Sequence, residues 1–262
     1  MPQQIEPPKY IEQYNQDGYA IIKNVLDPKI ISELNKHVIW LRKKNPNIRP
    51  EAFHHHLLVK DPFIHHLLHQ EKLLNIVQNI IGSDIALFGA HYIAKKPLDG
   101  KPVGWHQDGS YWPLKPMEVL SVWIACTKSR KNNACMRVIP GSQNMKLMKP
   151  SEMVKLDINK YVLDLAIDSS KIDDSTAVDI ELNPGDISIH NPLIIHGSNS
   201  NYSKNWRIGL TLRYIPTTTF VDRKDWECIL LRGQAKKNVN NNYIERPSYQ
   251  KGVDMPYKGC GK

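Results

Sequence analysis

The sequence predicts a mainly β domain with flanking helices, of the barrel or two-sheet jelly-roll kind. Apolar residues at helical spacing are concentrated in the first third of the chain. From Asp84 onward, short β-rich runs alternate with turn clusters. The 262 residues fit one large domain without forcing a second. The expected layout is a single domain over 1–262, with a helical third over 1–83, a jelly-roll core over 84–216 and an irregular tail over 217–262.

The first element is a short strand at Ala20–Ile22, after an Asp17-Gly18 turn. A helix follows over Pro28–Lys44, with Ile30, Ile31, Leu34, Val38, Ile39 and Leu41 on its apolar stripe and Pro46 beyond its end. A second helix spans Glu71–Ile81 and stops at Gly82. Strands are expected over 85–94, 119–127, 135–139, 178–182, 186–190, 193–196 and 207–215. Turns fall at Pro97–Pro102, Pro140–Ser142 and Asn183–Asp186. The more polar stretch 144–176 reads as a long insertion between strands.

Net charge is +9, from 35 Lys and Arg against 26 Asp and Glu. That favours anionic partners. No basic run interleaved with aromatics appears, so a nucleic-acid partner is not expected and a small anionic one is. The four cysteines form no CxxC pair and suggest no disulfide framework; Cys126 and Cys135 sit in apolar runs and read as core residues. The start, MPQQIEPPKY, lacks the apolar stretch of a signal peptide, and no apolar run approaches a membrane span. A cytoplasmic protein without a membrane partner is expected; the oligomeric state is left open.

The strongest chemical signal is Trp105-His106-Gln107-Asp108. On an extended backbone, residues two apart point the same way, so His106 and Asp108 can present an imidazole and a carboxylate to one point. A third donor, His196, lies 88 residues after Asp108, at the end of an apolar run and before Gly197. Two His and one carboxylate form the facial triad of non-haem iron(II) oxygenases, which leaves positions open for a bidentate 2-oxo acid and O₂. His190 could stand in place of His196, but it precedes Asn191-Pro192 rather than a small-residue turn. The clusters His54–His56, His65-His66 and His69 lie in a helical region without a suitably placed carboxylate. A zinc hydrolase could use the same triad, but Arg207 would then lack a role.

Arg207 opens a strand eleven residues after His196, where its fork can hold a carboxylate bidentately. Arg213 alternates onto the same face and reads as either a structural ion pair or an anion-binding group for substrate.

These pieces together resemble the phytanoyl-CoA dioxygenase family. They are Trp105–Asp108 with Tyr111-Trp112-Pro113, Val122–Ala125, Cys135–Ser142, Leu182–Asp186, His196-Gly197-Ser198, Arg207 and Leu212-Arg213-Tyr214. They occur in the family's order over roughly residues 10–235. The resemblance implies a double-stranded β-helix (a cupin-like jelly roll) with Fe(II) on His106, Asp108 and His196. It also implies 2-oxoglutarate on Arg207, Ser198 and Trp123, O₂ as second cosubstrate, and succinate and CO₂ as products of an oxidation at a C–H bond. Two departures stand out. Gln143 replaces the His of a common Pro-Gly-Ser-His, and Asn132-Asn133-Ala134-Cys135 replaces Glu-Asn-Gly-Cys; both are expected to alter the loop near the site entrance.

The expected activity is hydroxylation, or oxidative cyclisation or desaturation, of a small anionic metabolite such as an amino-acid-derived or phosphonate compound. Its expected contacts are His91, Gln107, Ser110, Tyr111, Trp112 and Arg213, with Ile93 beside them. The alternatives are an acyl-CoA hydroxylase and a non-catalytic jelly-roll binding module.

Overall fold

The structure is a computed structural model that describes residues 8–261. Most of the polar, Pro-rich start, residues 1–7, lies outside them. The helices are α1 (Lys9–Asp17), α2 (Pro28–Lys44), α3 (His55–Leu58), α4 (Pro62–Leu68) and α5 (Glu71–Ile81). The strands of the first half are β1 (Tyr19–Ile22), β2 (Ile85–Lys95), β3 (Val103–His106), β4 (Leu114–Lys115), β5 (Leu120–Ala125), β6 (Met136–Val138), β7 (Val154–Lys155) and β8 (Leu165–Ala166). Those of the second half are β9 (Val178–Ile180), β10 (Ile187–His190), β11 (His196–Ser198), β12 (Arg207–Pro216), β13 (Phe220–Val221), β14 (Glu227–Arg232) and β15 (Asn242–Tyr243). None of the described helices is long and apolar enough to cross a membrane.

Two sheets make the jelly roll. The larger has the order β1-β10-β5-β12-β2-β14-β15, and the smaller β3-β11-β6-β9. Period-2 alternation divides the large sheet into two faces. Along β12, Ile208, Leu210, Leu212 and Tyr214 join Val122, Ile124, Ile187 and Ile189 in the main core, packed with α2, α4 and α5. Arg207, Gly209, Thr211 and Arg213 alternate with them and face the other way, into the space between the sheets. A smaller apolar cluster, including Trp123, Met136, Val138 and Ile194, lies between the sheets.

The helices start and stop for local reasons. Asp27 caps α2, its carboxylate accepting from the Lys29 N–H at 2.7 Å, and Pro28 stands in the first turn. Asp61 caps α4 by accepting from the N–H groups of Phe63 and Ile64. Gly82, at φ 88°, ends α5. The helix α1 was not expected; it ends at Gly18 in the left-handed region, φ 79°. Two histidines of the helical region are held structurally. Buried His37 bridges the Tyr92 hydroxyl and the Asp61 carboxylate, and His65 Nε2 meets the Val59 carbonyl at 2.7 Å.

The tail 217–262, expected to be irregular, is partly sheet. β14 adds to the free edge of β2, pairing Ile229 with Leu87 and Leu230 with Ala86. The run Glu227–Leu231 carries the apolar residues needed to cover that edge. The insertion 144–176 is short 3₁₀ turns and a two-strand ribbon of β7 and β8. Arg137 clamps it to the small sheet through Asp174, at 2.7 Å.

Because β14 shields the β2 edge, a chain ending at Val221 is expected to lose its cooperative melt and near-ultraviolet dichroism. A truncated chain that melts like the full one would refute that role. His55 stacks on Trp226 with centroids 5.0 Å apart, and burial pushes its pKa down to about 4. Unfolded, it would titrate near about 6.5, so between these values the unfolded chain binds the extra proton. The sign is therefore loss of stability as pH falls through that window. The melting temperature should drop from about pH 7 to about pH 5, less steeply in His55→Gln; a flat profile would contradict this.

Candidate metal centre

Three of the predicted residues come together. β11 pairs antiparallel with β3 so that His196 stands directly opposite His106, which puts both imidazoles on one side of the small sheet with centroids 4.1 Å apart. The expected strand over 193–196 instead begins at His196. The Asn191 side chain accepts from the Leu193 N–H at 2.9 Å and folds Asn191–Ile194 into a turn. β3 ends at His106, and Asp108 opens a 3₁₀ turn rather than continuing the strand. Gln107 stays extended (φ −106°, ψ 125°), so the two-residue geometry still brings Asp108 beside His106.

The donor atoms of His106, Asp108 and His196 all lie within 4.8 Å of one another, and all three residues are buried. Asp108 Oδ1 is 3.5 Å from His106 Nε2 and 4.0 Å from His196 Nε2. Nδ1 of His106 reaches the Gly104 carbonyl at 2.9 Å, and Nδ1 of His196 reaches that of Ile194 at 3.1 Å. A carbonyl only accepts, so each Nδ1 must carry the proton and each Nε2 offers a lone pair to the centre. Burial, then the neighbouring His106, pushes His196 well below the usual imidazole range and keeps it neutral. Burial alone would raise the Asp108 carboxyl. The positive charge of Arg213 and the imidazoles of His106 and His190 outweigh it and hold Asp108 well below the carboxylate range. An anionic carboxylate and two imidazoles aimed at one point fit a divalent metal.

A cavity of about 70 Å³ adjoins this centre, and Trp123, Ser198 and Arg207 line it with the three donors. Arg207 is buried, with Nε donating to the Ala134 carbonyl at 3.0 Å and Nη1 to that of Ile93 at 3.3 Å. Burial lowers its pKa to about 10, so it remains a cation near neutrality. The guanidinium carbon lies 5.5 Å from the Trp123 ring centre. Gly209 makes this possible: a Cβ there would fall 1.9 Å from Trp123 Cζ2. Lys95, missed in the sequence, is paired with Arg207 across β2 and β12 and is also buried. Its alternation with His91 and Ile93 was the available signal.

A wider cavity of about 250 Å³ shares His91, His106, Asp108, Leu163 and Arg213 with the smaller one. His91, Tyr111, Trp112 and Arg213 line it, as expected; His54, Arg223 and Trp226 do too and were missed, two of them lying in the tail read as irregular. Arg213 lies over Trp112 at 5.1 Å and Arg223 over Trp226 at 4.7 Å. His91 donates from Nε2 to the Glu51 carbonyl at 2.8 Å, and burial keeps it neutral. Gln107 and Ser110 line neither cavity. The Gln107 amide donates to the Leu193 carbonyl and accepts from the Met148 N–H, and the Ser110 hydroxyl donates to the Met148 carbonyl. Their polar atoms are thus hydrogen-bonded to the backbone of Leu193 and Met148. The insertion itself contributes Leu163 to both cavities.

The two sequence departures also find places. Gln143 donates to the Gln16 carbonyl at 3.0 Å, tying its turn to α1 rather than to the cavity mouth. Ala134 takes a left-handed backbone, φ 67°, where a glycine would be unstrained, and its carbonyl is the one that holds Arg207.

Among curated proteins, the chain is 28% identical over 164 residues to a probable phytanoyl-CoA dioxygenase of Caenorhabditis elegans, covering 59% of this chain and 51% of that one. It is 26% identical over 200 residues to a probable alpha-ketoglutarate-dependent hypophosphite dioxygenase of Stutzerimonas stutzeri, covering 73% and 65%. The chain thus spans about half to two thirds of the length of these relatives. Among solved structures, the non-heme monooxygenase ThoJ in its apo form superposes with a TM-score of 0.76 at 20% identity, covering 90% of this chain and 87% of that one. The alpha-ketoglutarate-dependent carbocyclase SnoK superposes with a TM-score of 0.67 at 17% identity, covering 82% and 86%. Both show the jelly-roll fold. The sequence profile described as phytanoyl-CoA dioxygenase (PhyH) matches residues 14–209, three quarters of the chain, and the chain belongs to that family.

Proposed function

We propose that this protein is an Fe(II)- and 2-oxoglutarate-dependent oxygenase acting on a C–H bond of a small anionic metabolite. The observation that carries the reading is the convergence of His106, Asp108 and His196, both imidazoles turned by their backbone bonds to offer Nε2. These three would hold the iron. Iron held there would activate O₂, the oxidant, for C–H cleavage, coupled to the decarboxylation of 2-oxoglutarate to succinate and CO₂. A carboxylate in the donor set leaves no place for a halide, which favours oxygenation over halogenation.

The chain's own residues divide the remaining work. Arg207, fixed by two carbonyls and the Trp123 face, takes the far carboxylate of 2-oxoglutarate, with the Ser198 hydroxyl beside it. A buried guanidinium facing only carbonyl acceptors is poised for an anion, and bidentate pairing with a carboxylate is its best geometry. The wider cavity is the substrate's place. Its aromatic walls exclude water, and Arg213 and Arg223, each laid on a tryptophan, attract an acid. His91 and Tyr111 complete its walls. Hydroxylation, ring closure and desaturation would all begin with the same placement of a C–H bond near the centre.

Anaerobic addition of Fe(II) and 2-oxoglutarate to the apo-protein is expected to give a visible charge-transfer band. The band should be lost or need far more ligand in Asp108→Ala and Arg207→Ala. A wild type that binds iron but gives no band would move a non-catalytic binding module to first place. Substrates can then be sought by succinate release over carboxylated and phosphonated metabolites. For an acid so found, Arg223→Ala should raise KM roughly five- to tenfold, a share of the about 1.5–3 kcal/mol typical of a charged hydrogen bond, with 2-oxoglutarate affinity unchanged. An unchanged KM would remove the outer arginine from substrate binding.

A further inference from the structure

The inner face of the large sheet carries a polar row behind the metal centre. Ser121 on β5 is paired with His190 on β10 at one side and with Arg213 on β12 at the other, and Arg213 is paired in turn with Gly89 on β2. Residues paired across strands share a face, so all three side chains point toward Asp108. They address one atom. Asp108 Oδ1 faces His106 and His196, whereas Oδ2 faces the Ser121 hydroxyl at 3.3 Å, His190 Nε2 at 3.6 Å and Arg213 Nε at 3.7 Å.

His190 is the unexplained member. It is 1% exposed, and neither ring nitrogen has a hydrogen-bond partner. A buried imidazole left this way is costly, and an apolar side chain would fill the space more cheaply. It is not a fourth metal ligand on this geometry, since it stands on the Oδ2 side and outside the converging donor set. At 3.6 Å its Nε2 is one small shift from hydrogen-bond range of Oδ2.

We infer that His190 is a positioning residue, donating from Nε2 to Asp108 Oδ2 so that Oδ1 alone is turned to the metal; this rests on the His-Asp-His reading above. Arg213 supplies charge, while Ser121 and His190 supply the two directional donors that fix the plane of the carboxylate. Groups of this kind orient a metal-binding side chain without touching the metal, and losing one typically weakens metal affinity roughly 10–100-fold.

The test uses Co(II) alone, read by its visible absorption, with no turnover required. Wild type, His190→Leu, His190→Gln, His190→Asn and His106→Ala are titrated, and the apo-protein melting temperature of each is recorded. His190→Leu should weaken Co(II) binding roughly 10–100-fold. His190→Gln, whose amide nitrogen reaches the place of Nε2, should recover most of it, and the shorter His190→Asn should not. The comparison of the two amides holds even where the leucine variant fails to fold. Equal affinities for the Gln and Asn variants, or variants with a lowered apo melting temperature and wild-type Co(II) affinity, would overturn the inference and leave His190 a packing residue. A wild type that binds no Co(II), or binds it no better than His106→Ala, would instead remove the metal centre itself.

Discussion

The structure is organised around one buried carboxylate. Taking an ion such as Asp108 out of water costs several kcal/mol unless charge and hydrogen bonds are waiting for it. Asp108 is 6% exposed, and its surroundings come from both sheets. The small sheet brings His106 and His196 to one oxygen through the pairing of β3 with β11. The large sheet brings Ser121, His190 and Arg213 to the other through the pairing of β10, β5 and β12. The sandwich must therefore close in one register for the anion to be tolerated. A slip of one residue on β12 would send Arg213 outward and an apolar neighbour toward the carboxylate.

Much of this was legible in the sequence, and the exceptions have physical causes. The helices α2 and α5 match their expected limits because strong local signals, Pro28 and Gly82, punctuate clear apolar stripes. His106, Asp108 and His196 were legible because one motif and one family pattern point to them. Strand β14 of the large sheet was not, since its role depends on the distant strand it covers rather than on its own pattern. Gln107 and Ser110 illustrate a related point. Adjacency to Asp108 in sequence says nothing about direction, and their side chains are claimed by the backbone of Leu193 and Met148. Arg223 and Trp226 carried no signal at all outside the folded context.

The family profile covers the frame of the domain but only part of what surrounds the site. The profile ends at residue 209, before Arg213, Arg223 and Trp226. The walls of the wider cavity thus come partly from beyond the matched region, and partly from the insertion through Leu163. The paired strands that assemble the donors all begin within it.

Alternation along β12 has a consequence for how such a protein can change over time. Ile208, Leu210, Leu212 and Tyr214 answer to the helices, while Arg207, Gly209, Thr211 and Arg213 answer to the space between the sheets. Neighbours in sequence thereby meet separate physical demands. Drift among the outward residues tunes how firmly the domain holds together, and drift among the inward ones tunes what it accepts. A single ten-residue strand carries both records interleaved, and each can be rewritten with little disturbance to the other.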